Sequence, residues 1–262
     1  MAEITTRIVR VIEMPRSLVS DFLKMPEAGQ VGLYFLCGES DDGDVLKLYV
    51  GQSGNVGTRI AQHNQTKDFW NKALVVVSLT NNLTQTHALF LEWLSIKEAQ
   101  VAGRYDLENG NAGARPHTPP PLEADCHEIY DTARILLATL GYPIFESISQ
   151  AAGIQSESEV FYCKGPDANG SGLYTEEGFV VLKGSAGRQA TTPSMQGGEL
   201  RVRDQLLLAG VTRNEGNSII FLKDHLFKSP SSAAAAILGR PANGWLDWKN
   251  KEGETLDAIK RQ

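Results

Sequence analysis

Cysteine is scarce in this sequence and is not arranged in pairs. Its three cysteines, Cys37, Cys126 and Cys163, lie far apart, and none belongs to a C-x-x-C pair. Zinc knuckles and the disulfide frameworks of small secreted domains need closely spaced cysteines, so the sequence predicts neither. Isolated cysteines usually behave as small apolar residues, and we expect all three to be buried.

Long apolar runs are also missing. No run reaches the ~18 consecutive apolar residues that a transmembrane helix requires. The first ten residues have no apolar core of the signal-peptide type, so we expect a cytoplasmic protein. Apolar residues still make up 42% of the 262 residues, which is enough to bury the core of one large domain or of two ordinary ones.

The chain has no excess of positive charge, and its formal net charge is −6. Residues 106–159 carry nine acidic and two basic side chains, so the negative charge is concentrated in the middle of the chain. Neither end is strongly basic, which argues against tight, sequence-independent binding of a phosphate backbone. A protein that contacts nucleic acid over a small area is not excluded, because it needs positive charge only at that point.

The first 105 residues alternate between strand and helix patterns. Apolar and β-branched runs bounded by turn formers or proline predict strands, and apolar residues three and four positions apart predict helices. The expected strands are 5–14, 32–37, 46–50 and 73–79, and the expected helices are 17–25, 56–65 and 84–101. From residue 32 onward this order predicts a small α+β unit with an antiparallel or mixed three-stranded sheet flanked by helices.

The strands 32–37 and 46–50 are separated by the turn formers of 38–44, which predicts an antiparallel hairpin. Because side chains alternate between the two faces of a strand, Tyr34 and Tyr49 share a face only in some registers. The sequence does not determine this register.

The chain beyond residue 103 divides into a linker and a second domain. Glycines and prolines make 103–122 a loop or linker, and apolar spacing predicts an acidic helix over 123–140. The second domain is also expected to be α+β, with strands at 160–165, 178–185 and 218–222 and helices at 199–208 and from 229. The predicted limits are 28–112 for the first domain, 113–157 for the linker and acidic helix, and 158–262 for the second domain.

Three polar residues of the first domain have the chemistry that phosphodiester hydrolysis needs. Glu92 is the only carboxylate between Asp68 and Glu98, and a carboxylate on an apolar surface is costly unless a cation or hydrogen bonds satisfy it. Arg59 and His63, four residues apart, share one helix face and suit phosphate binding and proton transfer. The alternatives are an exposed glutamate, an arginine in a surface ion pair and a structural histidine.

The order of these residues, preceded by VGLYFL at 31–36 and LYVG at 48–51, resembles the GIY-YIG nuclease family. Leu33 and Val50 replace isoleucines of the family pattern, and neither change affects a polar position. The resemblance implies a metal-dependent nuclease in which Glu92 holds Mg²⁺ or Mn²⁺ and Arg59 stabilises the phosphate.

The resemblance also assigns roles to four further residues. Tyr34 would act on the attacking water, and Tyr49 would position water or phosphate. His63 would be a general base, a proton shuttle or a phosphate ligand. Asn109, seventeen residues after Glu92, matches a late asparagine of the family, although Asn111 is an alternative match. Without the family pattern, both tyrosines would be ordinary strand aromatics.

The second domain has a resemblance of its own. Residues 179–185 and 229–249 resemble an uncharacterised domain that is commonly fused behind GIY-YIG nucleases, and 119–143 resembles part of the same nuclease subfamily. The two tryptophans are either core residues or part of an aromatic and basic surface for nucleic acid. That candidate surface consists of Arg240, Trp245, Trp248, Lys249 and Lys251.

Together these patterns predict an endonuclease that hydrolyses phosphodiester bonds, with DNA as the expected substrate and Mg²⁺ or Mn²⁺ as the cofactor. One alternative is a non-catalytic module on a nuclease scaffold that binds nucleic acid or protein, and the acidic net charge favours it. The other is a cytoplasmic protein of different function in which the tyrosines are core residues.

Overall fold

A computed structural model describes residues 1–40, 45–110, 112–147 and 160–261. The chain forms two compact units, one made of Met1–Ser40 and Leu46–Glu146 and the other chiefly of Ser147–Gln262. Residues 41–44 of the predicted turn, Asn111, and residues 148–159 at the end of the predicted linker and the start of the second domain lie outside the described residues. None of the helices in the described ranges is long and apolar enough to cross a membrane.

The first unit is a six-stranded sheet with helices on both faces. Its strands are β1 (Ala2–Glu3), β2 (Val9–Pro15), β3 (Gly32–Glu39), β4 (Leu46–Ser53), β5 (Trp70–Ser78) and β6 (Asp106–Leu107). Its helices are α1 (Val19–Phe22), α2 (Val56–Thr66), α3 (Gln85–Ala102) and α4 (Pro120–Thr139). The strand order is β1-β2-β5-β3-β4-β6, and every pair is antiparallel except β4 with β6. The α+β class is confirmed.

The prediction of a three-stranded sheet is wrong, because three further strands join it. The β-rich run at the N-terminus pairs with β5 along its whole length, from Val9 opposite Ser78 to Pro15 opposite Lys72. The sequence predicted this run as a strand but did not indicate its partner. The first unit therefore begins before the predicted limit at residue 28.

The helix predicted over 123–140 begins at Pro120, within the run expected to be a linker. The N–H of the first helical residue makes no hydrogen bond within the helix, so a proline at this position costs no bond. The proline run can therefore start the helix instead of preceding it. Buried Ile129, Ala133 and Leu137 place α4 in the same core as α3 and the sheet. It therefore belongs to the first unit, which extends past the predicted limit at residue 112.

Alternating side chains give the sheet two buried faces. The face with Phe35, Leu48 and Val50 packs against apolar residues of α3 and α4. The face with Tyr34 and Leu36 packs against α1 and α2. The second face carries both tyrosines of the candidate site.

The second unit is a separate antiparallel sheet with short helices. Its strands are β7 (Val160–Gly165), β8 (Ala168–Thr175), β9 (Gly178–Val181), β10 (Ala186–Arg188), β11 (Thr212–Glu215), β12 (Ser218–Phe221) and β13 (His225–Phe227). Its helices are α5 (Gly198–Leu208), α6 (Pro230–Leu238), α7 (Gly244–Asp247) and α8 (Leu256–Lys260). The strand order is β11-β12-β10-β8-β9-β13, and β7 pairs with β8.

The helix expected from residue 229 is confirmed. The Ser229 side chain accepts a hydrogen bond from the Ser232 backbone N–H at 3.1 Å, and Pro230 occupies the first turn. The strand expected at 178–185 ends at Val181, and β8, with the sequence ANGSGLYT, was not predicted. Its pairing with β7, β9 and β10 stabilises a strand whose glycines and asparagine have low intrinsic β-propensity.

Candidate active site

The hairpin register places both tyrosines on one face of the sheet. Tyr34 lies opposite Gly51, and Leu36 lies opposite Tyr49. The two tyrosine rings are stacked with their centroids 6.3 Å apart. A Cβ atom at position 51 would lie 2.3 Å from the Tyr34 hydroxyl oxygen, so the ring of Tyr34 crosses β4 at the one residue that has no side chain.

We therefore expect Gly51→Ala to displace Tyr34 and to lower the free energy of unfolding by about 1–3 kcal/mol, the usual cost of overpacking a core. The measurement is urea unfolding of the intact chain. Gly54→Ala is the matched control, because a Cβ at position 54 meets only the Gln85 side chain, at 3.4 Å. Equal effects of the two substitutions would contradict this account of Gly51.

Helix α2 brings the next two residues to the tyrosines. Asn55 begins the helix, since its side-chain oxygen accepts a hydrogen bond from the Thr58 backbone N–H at 2.9 Å. Buried Ile60 packs the helix against the sheet. His63 faces the sheet and is 5% exposed, whereas Arg59, one turn earlier, remains at the surface.

His63 and Tyr34 form a buried hydrogen bond. The Tyr34 hydroxyl oxygen lies 2.9 Å from His63 Nε2. The ring of Tyr49 lies edge-on to the same imidazole, with centroids 5.1 Å apart. Burial, assisted by the charges of Arg59 and Lys67, lowers the pKa of His63 to about 4. The imidazole is therefore neutral at physiological pH and can accept the hydroxyl proton.

The lowered pKa of His63 predicts a pH dependence of stability. Histidine has a pKa of about 6.5 in an unfolded chain. Between that value and about 4, the unfolded state binds a proton that the folded state does not. Stability contributed by this group is therefore constant above pH 6.5 and falls as the pH falls through this window, by about 1–2 kcal/mol between pH 7 and pH 5.

The test compares the free energy of unfolding at pH 7 and pH 5 for the intact chain, His63→Gln and the surface control His117→Gln. We expect the pH-dependent loss to be smaller in His63→Gln and unchanged in His117→Gln. Because carboxylates also titrate in this range, only the difference between these chains is informative. Equal pH dependence in all three would contradict the assignment to His63.

Tyr34 is held in its protonated form. Burial raises its pKa, and the neighbouring Tyr49 raises it further, whereas a hydrogen bond from Arg59 acts in the opposite direction. The two phenol groups in turn raise the pKa of Arg59, Tyr34 more than Tyr49, and Gln62 accepts a hydrogen bond from Arg59 Nη1 at 3.0 Å. Arg59 therefore interacts with both phenol groups while its charge stays at the surface.

Glu92 approaches the same group of residues from α3. The start of α3 is tied to the end of β4 by a hydrogen bond between the side chains of Gln85 and Gln52. The Glu92 carboxylate is half-buried, and burial raises its pKa more than a backbone hydrogen bond from Gln52 and the charge of Arg59 lower it. Glu92, Arg59 and Tyr34 are close enough for their charges to interact.

This environment suits a divalent cation at Glu92. A half-buried carboxylate whose pKa is raised is stabilised by a nearby positive charge. Within the described residues, no three histidine, cysteine, aspartate or glutamate side chains cluster into a metal site. A cation held by Glu92 could take its other ligands from water and phosphate oxygens, a coordination that magnesium accepts.

Asn109 contacts β4 instead of the other site residues. Its side-chain oxygen accepts a hydrogen bond from the Val50 backbone N–H at 2.8 Å, and its Nδ2 donates to the Val50 carbonyl oxygen at 2.6 Å. These bonds extend the ladder between β6 and β4, because Glu108 N–H already donates to the Leu48 carbonyl oxygen at 2.9 Å. Asn109 therefore holds the strand that carries Tyr49 and Gly51.

Lys67 is the main residue that sequence reasoning missed. Its ammonium group lies 4.3 Å from the ring centroid of Tyr49, and its charge helps to lower the pKa of His63. The signal was present in the spacing, since Arg59, His63 and Lys67 recur every four residues, with Lys67 directly after the last residue of α2. The hydrogen bond from Gln52 to Glu92 was also missed, and a backbone donor leaves no sequence signal.

The comparison with protein families gives one match, which lies in the second unit. Residues 161–260 match a family described as "Domain of unknown function (DUF4357)". The expected uncharacterised C-terminal domain is thereby confirmed. No curated protein and no solved structure matches the chain. The family match does not extend to the first unit, whose nuclease resemblance remains a hypothesis.

Within residues 161–260, both tryptophans make contacts inside the second unit. Trp248 is fully buried, packs on Phe179 at 4.3 Å between centroids, and donates from Nε1 to the Pro230 carbonyl oxygen at 3.0 Å. The half-buried ring of Trp245 has the Arg261 guanidinium 3.6 Å from its centroid and Tyr174 against it. Of the two alternatives for the tryptophans, the core interpretation is favoured, because Trp248 is buried and Trp245 is partly so.

Proposed function

We propose that the first unit is a metal-dependent endonuclease of the GIY-YIG type that hydrolyses phosphodiester bonds in DNA. The observation that carries this proposal is the convergence of Tyr34, Tyr49, Arg59, His63 and Glu92 at the end of β4. Five residues spread over two strands and two helices share one small region, although packing alone requires none of their polar groups to meet.

The proton of the attacking water has a defined route in this proposal. Tyr34 accepts a proton from water at its hydroxyl oxygen and passes its own proton to His63 Nε2, which lies 2.9 Å away. The resulting hydroxide attacks phosphorus, and the leaving oxygen takes a proton from solvent. Since Tyr34 has a raised pKa, it acts as a relay and not as a stable phenolate.

Substrate binding would strengthen the base at the end of this route. The charges of Arg59 and Lys67 help to keep the pKa of His63 near 4. A bound phosphate neutralises part of that positive charge and raises the pKa of His63 toward its ordinary range. The histidine therefore becomes a better proton acceptor when a phosphodiester is present.

Arg59 and Glu92 act on the phosphate itself. The exposed guanidinium of Arg59 can bind phosphate oxygens and stabilise the charge that develops on them. Glu92 would hold Mg²⁺ or Mn²⁺, which supplies Lewis-acid stabilisation of the phosphate oxygens when bound. Tyr49, held between Arg59 and Lys67, orients the phosphate or the water.

The test is cleavage of supercoiled plasmid by the intact chain with Mg²⁺ or Mn²⁺, with EDTA, and by Glu92→Gln purified in the same way. Metal-dependent cutting that is lost in the variant supports the proposal. Equal cutting by both preparations identifies a contaminant and overturns it. If neither cuts plasmid, branched or single-stranded DNA, while both bind DNA in a salt-sensitive manner, the non-catalytic binding module is the correct function.

A further inference from the structure

Strand β7 of the second unit has one buried and one outward face. Phe161 and Cys163 are buried in the core of this unit. Tyr162 and Lys164, which alternate with them, point to the opposite side, where Tyr162 is half-buried and Lys164 is exposed. The outward face of this strand therefore begins with an aromatic ring and a positive charge two residues apart.

The chain after α7 adds two lysines to this face. Tyr162 and Lys249 exchange both backbone hydrogen bonds, N–H to carbonyl oxygen, at 2.7 and 3.0 Å. Lys249 thus lies directly beside Tyr162, as in an antiparallel strand pair. A tight turn closed by the Gly253 N–H and the Asn250 carbonyl oxygen, 3.1 Å apart, then holds Lys251 next to it.

These residues line a cavity of about 510 Å³, and the charged side chains in its described lining are predominantly basic. Lys164, Lys249 and Lys251 all line it, and among the residues that the structure describes Asp247 is the one carboxylate in its lining. Asp247 is paired with Arg240 at 3.0 Å, so its charge is already compensated. Glu254 lies nearby but does not line the cavity, and it accepts a hydrogen bond from Asn250 at 2.9 Å.

We infer that this basic groove, defined as Tyr162, Lys164, Lys249 and Lys251, binds a single nucleic-acid strand. Its lysines come from two adjacent chain segments and are exposed, which suits a series of phosphates better than one small anion. Tyr162 offers a ring on which a base can stack, a contact that does not depend on sequence. The choice of nucleic acid over another polyanion rests on the proposed nuclease function.

The experiment measures binding without cleavage. The probe is a fluorescein-labelled single-stranded DNA 20-mer, and anisotropy is followed over a series of salt concentrations in the presence of EDTA. The protein is the full chain carrying Glu92→Gln, so that cutting cannot remove the probe. Into this chain we introduce Lys164→Ser, Lys249→Ser and Lys251→Ser together, or Tyr162→Ala alone.

We expect the triple lysine variant to bind at least 10-fold more weakly. Its plot of log affinity against log salt concentration should become shallower by about 2, because each phosphate contact to a single strand contributes a slope of about 0.7. Tyr162→Ala should weaken binding with little change in this slope. The matched control, Lys183→Ser with Lys223→Ser and Lys228→Ser, removes the same charge from positions of this unit outside the groove.

Equal loss in the control and groove variants would overturn the proposal, since binding would then follow net charge alone. No loss in the groove variant would overturn it as well. Binding of a sulfated polysaccharide with the same affinity, and with no effect of Tyr162→Ala, would exclude a nucleic-acid site. None of these outcomes depends on cleavage, so they separate failure of the groove from failure of the proposed nuclease.

Discussion

Replacing Glu92 by glutamine is expected to lower the rate of DNA cleavage by about 10²–10³-fold. Glutamine keeps the size of the side chain but removes the charge that would hold the divalent cation. Metal stabilisation of a developing phosphate charge is worth several kcal/mol, and each 1.36 kcal/mol corresponds to about one factor of ten in rate. The measurement is the initial rate of plasmid nicking at saturating Mg²⁺ and, separately, Mn²⁺.

Glu98→Gln is the matched control, because Glu98 lies on the same helix and is also half-buried. It should cut at the rate of the intact chain. A second readout does not depend on activity. Mg²⁺ should raise the midpoint of thermal unfolding of the intact chain and of Glu98→Gln, but not that of Glu92→Gln.

The stability of Glu92→Gln itself also has a predicted direction. Burial raises the pKa of Glu92, which means that the ionised carboxylate is less stable in the folded site than in water. Removing its charge should leave the metal-free protein as stable as before or more stable. A variant that unfolds more easily and loses activity in proportion would show that Glu92 is structural, which contradicts the proposed metal site.

The sequence predicted most strands and helices of the first unit because their patterns are local. The run at 5–14, the hairpin and the helix around Arg59 and His63 all follow from alternation, turn formers and helical spacing. Strand partners are not local. Nothing in the β-rich N-terminal run indicates that it pairs with β5, so the sheet was predicted with three strands instead of six.

The hairpin register shows why the candidate site could be predicted only in part. Residue types and order predicted Tyr34, Tyr49, Arg59, His63 and Glu92 as candidates, but a shift of one residue in the register would separate the two tyrosines. The observed register requires glycine at position 51, since only a residue without a side chain leaves room for the ring of Tyr34. That requirement becomes visible only once the pairing is known.

Asn109 was predicted as a site residue from the family pattern, but in the structure its side chain contacts the backbone of β4. Both of its polar atoms pair with the backbone of Val50, so it supports the strand beneath the site. Its match to the family pattern, for which Asn111 was an alternative, did not indicate this role. Side-chain hydrogen bonds to the backbone of another strand depend on tertiary placement, for which a single sequence contains no signal.

Arg59→Ala is expected to reduce cleavage by about 10²–10³-fold, the usual cost of losing one donor that stabilises transition-state charge. Arg59→Lys should recover only part of this loss, because an ammonium keeps the charge but cannot bridge two phosphate oxygens in the planar geometry of a guanidinium. The measurement is the single-turnover rate on plasmid DNA. Gln62→Ala, which removes a surface hydrogen-bond partner of Arg59, is the control and should have little effect.

A spectroscopic readout separates this role from a general loss of structure. The positive charge of Arg59 helps to lower the pKa of His63, so Arg59→Ala should raise that pKa above its value of about 4, as followed by NMR titration of the imidazole. Gln62→Ala should not change it. If cleavage is lost but the pKa of His63 stays the same, Arg59 does not lie beside the histidine in solution. If the pKa rises while cleavage is unaffected, Arg59 shapes the electrostatics of the site without stabilising the reacting phosphate.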